Sequence, residues 1–200
     1  MFESVRADLR SYTLQSAAKE SMPFRLILHV CIFSYGWHAM IGYRFGRYVN
    51  SLGNHSFSLH SKRILQFGYR ILEYVLWRMY DIRISSEADI GKGFYIGHFG
   101  GIRIGKCKIG ENCSIHQQVV IGPGRDDAEG WALIGNNVWI GAHSKIEGSI
   151  KIGNDVTIAA GSIVMNVIKD GALVMGNPAR VIKRFYDNSS LLRQPKVRPL

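Results

Sequence analysis

From Ile84 onward, branched aliphatic residues recur every six positions: Ile84, Ile90, Ile96 and Ile102, then Ile109, Ile115 and Ile121, then Ile134, Ile140, Ile146, Ile152, Ile158 and Val164. Glycine directly follows seven of these thirteen, at Gly91, Gly97, Gly110, Gly122, Gly135, Gly141 and Gly153. The fourth residue after the aliphatic is often small or branched, as at Ala88, Cys113, Val119 and Val138. No helix has a period of six, and an alternating strand has no use for the glycines. The hexad predicts a parallel β-helix, in which three short strands make one triangular coil and stacked coils align their aliphatics into a continuous core. The register slips by one residue between Ile102 and Ile109. It slips again between Ile121 and Ile134, where PGRDDAEGWAL reads as a protruding loop, and solenoid insertions tend to gather on the binding face. After Val164 the repeat decays, Asn177-Pro178 marks a turn, and the basic run RVIKR follows.

Residues 1–80 have another texture. Around 25–49 and 62–80 apolar residues recur at three and four, predicting amphipathic helices. The segment 51–58, SLGNHSFS, reads as the loop between them. Arg44, Arg47, Arg63, Arg70 and Arg78 are expected on solvated helix faces. The apolar stretch Leu26–Gly42 is interrupted by His29 and His38 and bracketed by Arg25 and Arg44. It is short for a span of about 20 residues, so a buried or interfacial helix is expected, with peripheral membrane contact as the second reading. The expected organisation is an α-helical region at 1–80, a β-helix at 81–182 and a basic tail at 183–200.

Composition narrows the classes. Two hundred residues at 46% hydrophobic allow a packed core and exclude disorder. The net charge of +10 admits nucleic acid, a membrane surface or an anionic cofactor. Basic residues are dispersed and no nucleic-acid reading motif accompanies them, which disfavours nucleic acid. Six of the ten excess charges fall in residues 1–80 and a surplus of five lies in residues 180–200. Cys31, Cys107 and Cys113 form no CxxC pair, so neither a disulfide framework nor a zinc site is expected. The segment MFESVRADLR carries acids where a secretory leader needs a basic and then an apolar stretch, and a reducing cytoplasmic setting is expected.

His98 and His116 are the candidate chemistry. They stand three hexads apart, each just after an anchor, so they should share one outward face of adjacent coils. A neutral imidazole can take a proton from a hydroxyl as that hydroxyl attacks an activated carbonyl. No nucleophile elbow, GxGxxG or GxxxxGK[ST] pattern is present, and no third metal ligand at matching spacing accompanies the pair. General-base acyl transfer is the favoured chemistry, with a non-catalytic β-helix scaffold as the rival of another class. His29, His38, His55, His60 and His143 lack such companions.

Residues 84–182 resemble the hexapeptide-repeat acyltransferases, whose fold is mainly β: a left-handed parallel β-helix, here preceded by an α-helical region. GFYIGHFGGIRIG, ENCSIHQQVVIG, NNVWIGAHSKIEGSIKIGNDVTIAAGSIV and DGALVMGNPARVI resemble the serine acetyltransferase branch, in particular its polysaccharide O-acetyltransferases of colanic-acid type. The lead-in, with PFRLI and WHAMIGYRFGRY, is similar as well. The resemblance implies acetyl-CoA as acyl donor, no metal, His98 as catalytic base and His116 as a second base or acceptor contact. It implies that Ala142 and Ala160 line the pantetheine channel, that Gly122 and Gly124 bind the cofactor where the loop meets that channel, that Arg180, Lys183 and Arg184 lie near the cofactor phosphates, and that sites form between the subunits of a homotrimer. The helical region could then join trimers into a dimer of trimers or dock at the inner face of a membrane.

Three departures from the serine enzymes, the last of them at a pair of residues, bear on the acceptor. Arg83 stands where an aspartate orients the base, Gly97 replaces an aspartate beside it, and Gly130-Trp131 replaces an Arg-His pair that helps hold serine. A saccharide acceptor is therefore expected, with Trp131 and Asp127 as its contacts, and L-serine is the alternative. Glu87, Asp126 and Asp127 are the candidate partners of His98.

Overall fold

The computed structural model describes residues 1–13, 24–52, 59–123, 130–194 and 196. Four helices come first: α1 (Phe2–Thr13), α2 (Phe24–Phe33), α3 (Tyr35–Ser51) and α4 (Leu59–Tyr80). Fifteen short strands follow: β1 (Ile82–Ile84), β2 (Asp89–Ile90), β3 (Tyr95–Ile96), β4 (Ile102–Ile104), β5 (Cys107–Ile109), β6 (Ser114–Ile115), β7 (Val120–Gly122), β8 (Ala132–Ile134), β9 (Trp139–Ile140), β10 (Lys145–Glu147), β11 (Lys151–Ile152), β12 (Thr157–Ile158), β13 (Ile163–Val164), β14 (Leu173–Gly176) and β15 (Ala179–Lys183). Through β13, every third strand shares a sheet. The first sheet runs β1-β4-β7-β10-β13, the second β2-β5-β8-β11 and the third β3-β6-β9-β12-β14-β15. All pairings are parallel except β14 with β15. This is the expected hexapeptide-repeat β-helix preceded by helices.

All thirteen hexad aliphatics are buried, and their columns run along the axis, as in Ile96, Ile115, Ile140, Ile158 and Val174. The repeat therefore outlasts Val164: Val174 pairs with Ile158, and Ile168 bridges to Ile152. The first register slip also lies elsewhere than the spacing suggested. Ile84 pairs with Ile104, not Ile102, so the interval from Ile96 to the next column member is eight residues and the interval from Ile104 to Ile109 is five. Ile102 and Ile104 both point inward, and the extra length sits in the turn that carries His98.

The corner glycines act by close approach. A Cβ on Gly91 would lie 2.6 Å from the carbonyl carbon of Gly110, and one on Gly135 would lie 2.7 Å from that of Gly153. Left-handed backbone occurs at other positions. Gly93, Asn112, Asn137, Asp155 and Gly171, all at positive φ, form a column at the corner between the second and third sheets. Glycine, asparagine and aspartate tolerate that conformation best.

The helices are fused to the first coil. Arg44, expected in solvent, is 9% exposed. Its guanidinium donates to Asp8 (2.9 Å) and to the carbonyls of Ile90 and Gly91 (2.6 Å each). Asp8 also accepts from the amides of Gly93 and Phe94. Tyr43 donates to the carbonyl of Ala88 and accepts from the amide of Ile90. These bonds satisfy polar groups at a solenoid end that would otherwise be orphaned. The apolar stretch 26–42 is broken at Ser34, which caps α3 by accepting from the amide of Trp37. α2 is left largely exposed, while α3 buries Trp37, Met40, Tyr43 and Val49.

The tail does not run free. Asn188 is buried and donates to the carbonyl of Asn137, Arg193 donates to the Tyr95 hydroxyl, and Gln194 donates to the carbonyl of Ala7. Lys196 pairs with Asp155 and Asp187. The strap thus returns along the third sheet to the first coil and α1.

Candidate functional site

Between β3 and β4 the chain turns through Gly97, His98, Phe99, Gly100 and Gly101. Gly100 and Gly101 have positive φ, which lets the two extra residues bulge outward without strain. The helices hold this turn. The amide of Gly100 donates to the carbonyl of Tyr80, the amide of Gly101 to the Asp81 carboxylate (2.8 Å), and Phe99 packs edge-on against Tyr35 at 4.8 Å. His38 in turn bonds the Tyr80 hydroxyl and the carbonyl of Cys31, so it tightens the joint between the end of α4 and α2.

One coil later, His116 lies over Gly97. A Cβ at residue 97 would sit 2.6 Å from Nδ1 of His116, so the glycine that replaces an aspartate here makes room for the second imidazole. The rings of His98 and His116 are 6.0 Å apart between centroids and inclined by 38°. His98 is exposed and His116 half-buried. Burial, then repulsion from His98 and Arg193, lowers the pKa of His116 below its ordinary value of 6.5. Its imidazole is accordingly neutral at pH 7 and can accept a proton. Among the described residues no carboxylate is bonded to His98. Glu87 pairs instead with Lys106 at 3.7 Å, Asp81 braces the turn through Gly101, and Arg83 lies over the Trp77 ring at 5.6 Å. Asp126 lies outside the described residues.

A cavity of about 430 Å³ opens beside His116. Its floor is Tyr95, Ser114 and Trp139, in register on adjacent strands, and its other wall is the strap from Ser190 to Arg193. The Trp139 ring lies 5.0 Å from that of His116 and is inclined to it by 56°, and the Arg193 guanidinium lies 4.3 Å from the centre of the Tyr95 ring. Sequence reasoning missed Tyr95, Trp139 and Arg193. The first two precede an anchor by one place, a signal that the hexad register already contained. Arg193 gave no signal, because nothing periodic fixes where a tail returns.

The other expected site residues divide by corner. Ala142 and Ala160 stand at the corner between the third and first sheets, one and two coils beyond His116. Gln117, at this corner, has a buried side-chain oxygen with no partner among the described residues. Arg180 pairs with Met175 at the end of the same corner, whereas Lys183 pairs with Leu173 at the far end of the hairpin. The Lys183 ammonium faces the Tyr186 ring, and Arg184 borders a separate cleft with Lys151 and Lys169. The three basic residues are therefore not gathered at one place. Gly122 ends β7 with open space where a Cβ would go. Trp131 is exposed at the corner between the first and second sheets, with the Lys106 ammonium 4.4 Å from its ring centre. Within one chain, Gly122 and Trp131 thus stand a full sheet away from the histidines and not beside them. Gly124 and Asp127 lie outside the described residues. His143 occupies the histidine corner in the next coil, with φ of 61°. Among the described residues no three potential metal ligands converge.

The family model "Bacterial transferase hexapeptide (six repeats)" matches residues 132–166. Solved structures give the fold. The serine acetyltransferase of Vibrio cholerae O1 superposes with a TM-score of 0.75 at 24% identity, over 97% of this chain and 70% of that one. A serine acetyltransferase in complex with CoA gives 0.70 at 26% identity, over 90% and 68%. Among sequence relatives, the serine acetyltransferase of Staphylococcus epidermidis is 37% identical over 105 residues, 52% of this chain and 49% of that protein. The chain spans about half the length of such staphylococcal relatives. The serine acetyltransferase of Helicobacter pylori is 30% identical over 176 residues, 87% of this chain and 96% of that protein. These matches point to the serine branch and do not support the colanic-acid-type branch that the sequence motifs suggested. With a relative matched over nearly its whole length and a shared architecture from helices to hairpin, this chain belongs to the serine acetyltransferase family of hexapeptide-repeat transferases.

Proposed function

We propose that the chain is an acetyl-CoA-dependent O-acetyltransferase with L-serine as acceptor, the acceptor named by its relatives. The observation that carries the chemistry is the His98–His116 stack at the head of a corner lined with small residues. His98 takes the proton of the acceptor hydroxyl as its oxygen attacks the thioester carbonyl. Backbone amides stabilise the tetrahedral oxyanion. The intermediate collapses with cleavage of the C–S bond, and the proton held by His98 passes to the departing sulfur, giving the acetyl ester and free CoA thiol. Acetyl-CoA suits the residues at this corner. Ala142 and Ala160 leave a smooth track, Gln117 offers an unfilled acceptor to a pantetheine amide, and Arg180 waits at the end for phosphate. At about 4.8 Å per coil the track from the level of His116 to the hairpin is roughly 14 Å. A homotrimer would bring Gly122 and Trp131 of one copy to the histidine corner of the next, reconciling two sets of residues that lie apart in one chain.

A saccharide acceptor is the second reading, favoured by Arg83, Gly97 and Gly130-Trp131 at the places where the serine enzymes carry their acidic and basic clamp. The test is incubation with acetyl-CoA and either L-serine or a panel of sugars and oligosaccharides, with product mass as readout. O-acetylserine formed by the wild type and lost in His98→Ala supports the first reading. Acetylated sugar without O-acetylserine replaces it by the second. Normal thiol release by His98→Ala with the true acceptor would sink both.

A further inference from the structure

α4 has more apolar surface than the fold uses. One face meets α3, where Gly42 and Gly46 permit close approach of Leu76 and Tyr69. On the opposite side Ile64, Phe67, Ile71, Val75 and Met79 form a continuous stripe along the 22-residue helix, with Ile64 71%, Phe67 68% and Met79 63% exposed. Gly68 lies in the stripe with nothing within 4 Å of its Cβ position. The helical repeat predicted an apolar face for the core, but most of it faces outward. Such a surface exceeds the scattered exposed residues normal for a soluble domain.

Charge selects the occupant. Between Glu20 and Glu73 there are 52 residues with six Lys or Arg and no Asp or Glu. Arg63, Arg70 and Arg78 border the stripe and are exposed. Beside Phe67, a groove of about 540 Å³ has Arg63 and Arg70 in its walls. α4 carries one acid, Glu73, which is only partly exposed and lines both that groove and the cavity on the α3 side, so three arginines stand against one carboxylate along the helix. Two copies apposed through this stripe would bring arginine against arginine. An apolar stripe edged with arginines is complementary to acyl chains beneath anionic headgroups. α2 adds exposed Phe24, Leu28, Ile32 and Phe33 in the same acid-free segment. No single described helix is long and apolar enough to cross a membrane. The α2–α3 pair, which passes by composition, is bent by 79°, and α3 is buried against the β-helix. The arrangement suits lying on a bilayer, not crossing it.

We propose that the outer face of α4 docks the protein on an anionic lipid bilayer, its apolar stripe at the acyl boundary and Arg63, Arg70 and Arg78 on headgroup phosphates. The test is co-sedimentation of the full chain with vesicles of phosphatidylcholine alone or mixed with phosphatidylglycerol. Binding is expected with phosphatidylglycerol only, weakening as salt rises. Arg63→Gln with Arg70→Gln should weaken partitioning roughly thirtyfold, at about 1 kcal/mol per arginine. Ile71→Glu with Val75→Glu should abolish it, with the far-UV circular dichroism and melting temperature of both variants near wild type. Wild-type protein left in the supernatant with anionic vesicles overturns the proposal, as does undiminished binding by either variant. Sedimentation velocity without lipid supplies the remaining arm: if Ile71→Glu with Val75→Glu splits a larger assembly, α4 is a contact between copies and the proposal fails.

Discussion

His116 shows how one side chain's chemistry is set by neighbours that the repeat stacks on it and by one, Arg193, that the repeat does not encode. The hexad predicted that it points outward one coil from His98, and it does. The same register sets it over Gly97 and beside Trp139, but nothing in the spacing predicts the arginine that comes to it from the tail. Arg193 disfavours the imidazolium, so Arg193→Ala should raise the pKa of His116 toward its ordinary value. NMR titration of the His116 ring should show the midpoint moving to higher pH. The sign for stability follows from the depressed folded-state pKa. In the wild type the unfolded chain binds the proton more readily, so stability is lost as pH falls through about 6.5. In Arg193→Ala that acid-side loss should shrink. A midpoint that stays put or moves lower would show that Arg193 exerts no field at the site.

At the scale of the element, the thirteen aliphatic anchors were legible because each coil presents the same inward positions to one core, and burial leaves few alternatives there. The corners were legible in composition but not in mechanism. Glycine after an anchor suggests a backbone turning at positive φ, yet at Gly91, Gly110, Gly135 and Gly153 the demand is steric: neighbouring coils meet there at the corner. The slip around His98 was misplaced because Ile102 and Ile104, two residues apart, both face inward, and a sequence period cannot say which one joins the column. Gly135→Ala puts a methyl group against the Gly153 carbonyl. A loss of about 1–3 kcal/mol is expected, as for overpacking, measured by urea denaturation. Gly68→Ala, in open space in the middle of α4, should instead gain about 0.5–1 kcal/mol from helix propensity. Equal effects at the two sites would refute the steric account of the corners.

For the molecule as a whole, the sequence suggested three consecutive units, helices, solenoid and tail, because texture changes near residues 80 and 183. The structure joins them at the first coil. α1 and α3 supply Asp8, Tyr43 and Arg44 to its backbone, α4 ends in the residues that pin the His98 turn, and the strap ends on Tyr95 and α1. These long-range bonds are invisible to periodicity, since Asp8 and Arg44 look like ordinary helix polar residues until their burial is known. In a solenoid each coil is stabilised mainly by its neighbours, so an end coil frays unless something covers it, and here the helical layer does. Asp8 is the centre of that cover, and burial, the largest influence on it, raises its pKa against the opposing pull of Arg44 and the amides of Phe94 and Gly93. Asp8→Ala leaves Arg44 buried without its counter-charge and two amides unbonded, an expected cost of about 3–5 kcal/mol. Hydrogen exchange should localise the damage. Amides of β2 and β3 and of the Gly100–Gly101 turn should lose protection, while those of β9, β11 and β12 keep theirs. Acetyl transfer should then fall through loss of the His98 turn, with the far coils intact. Uniform loss of protection along every coil would mean that the helices stabilise the solenoid as a whole and not through its first turn.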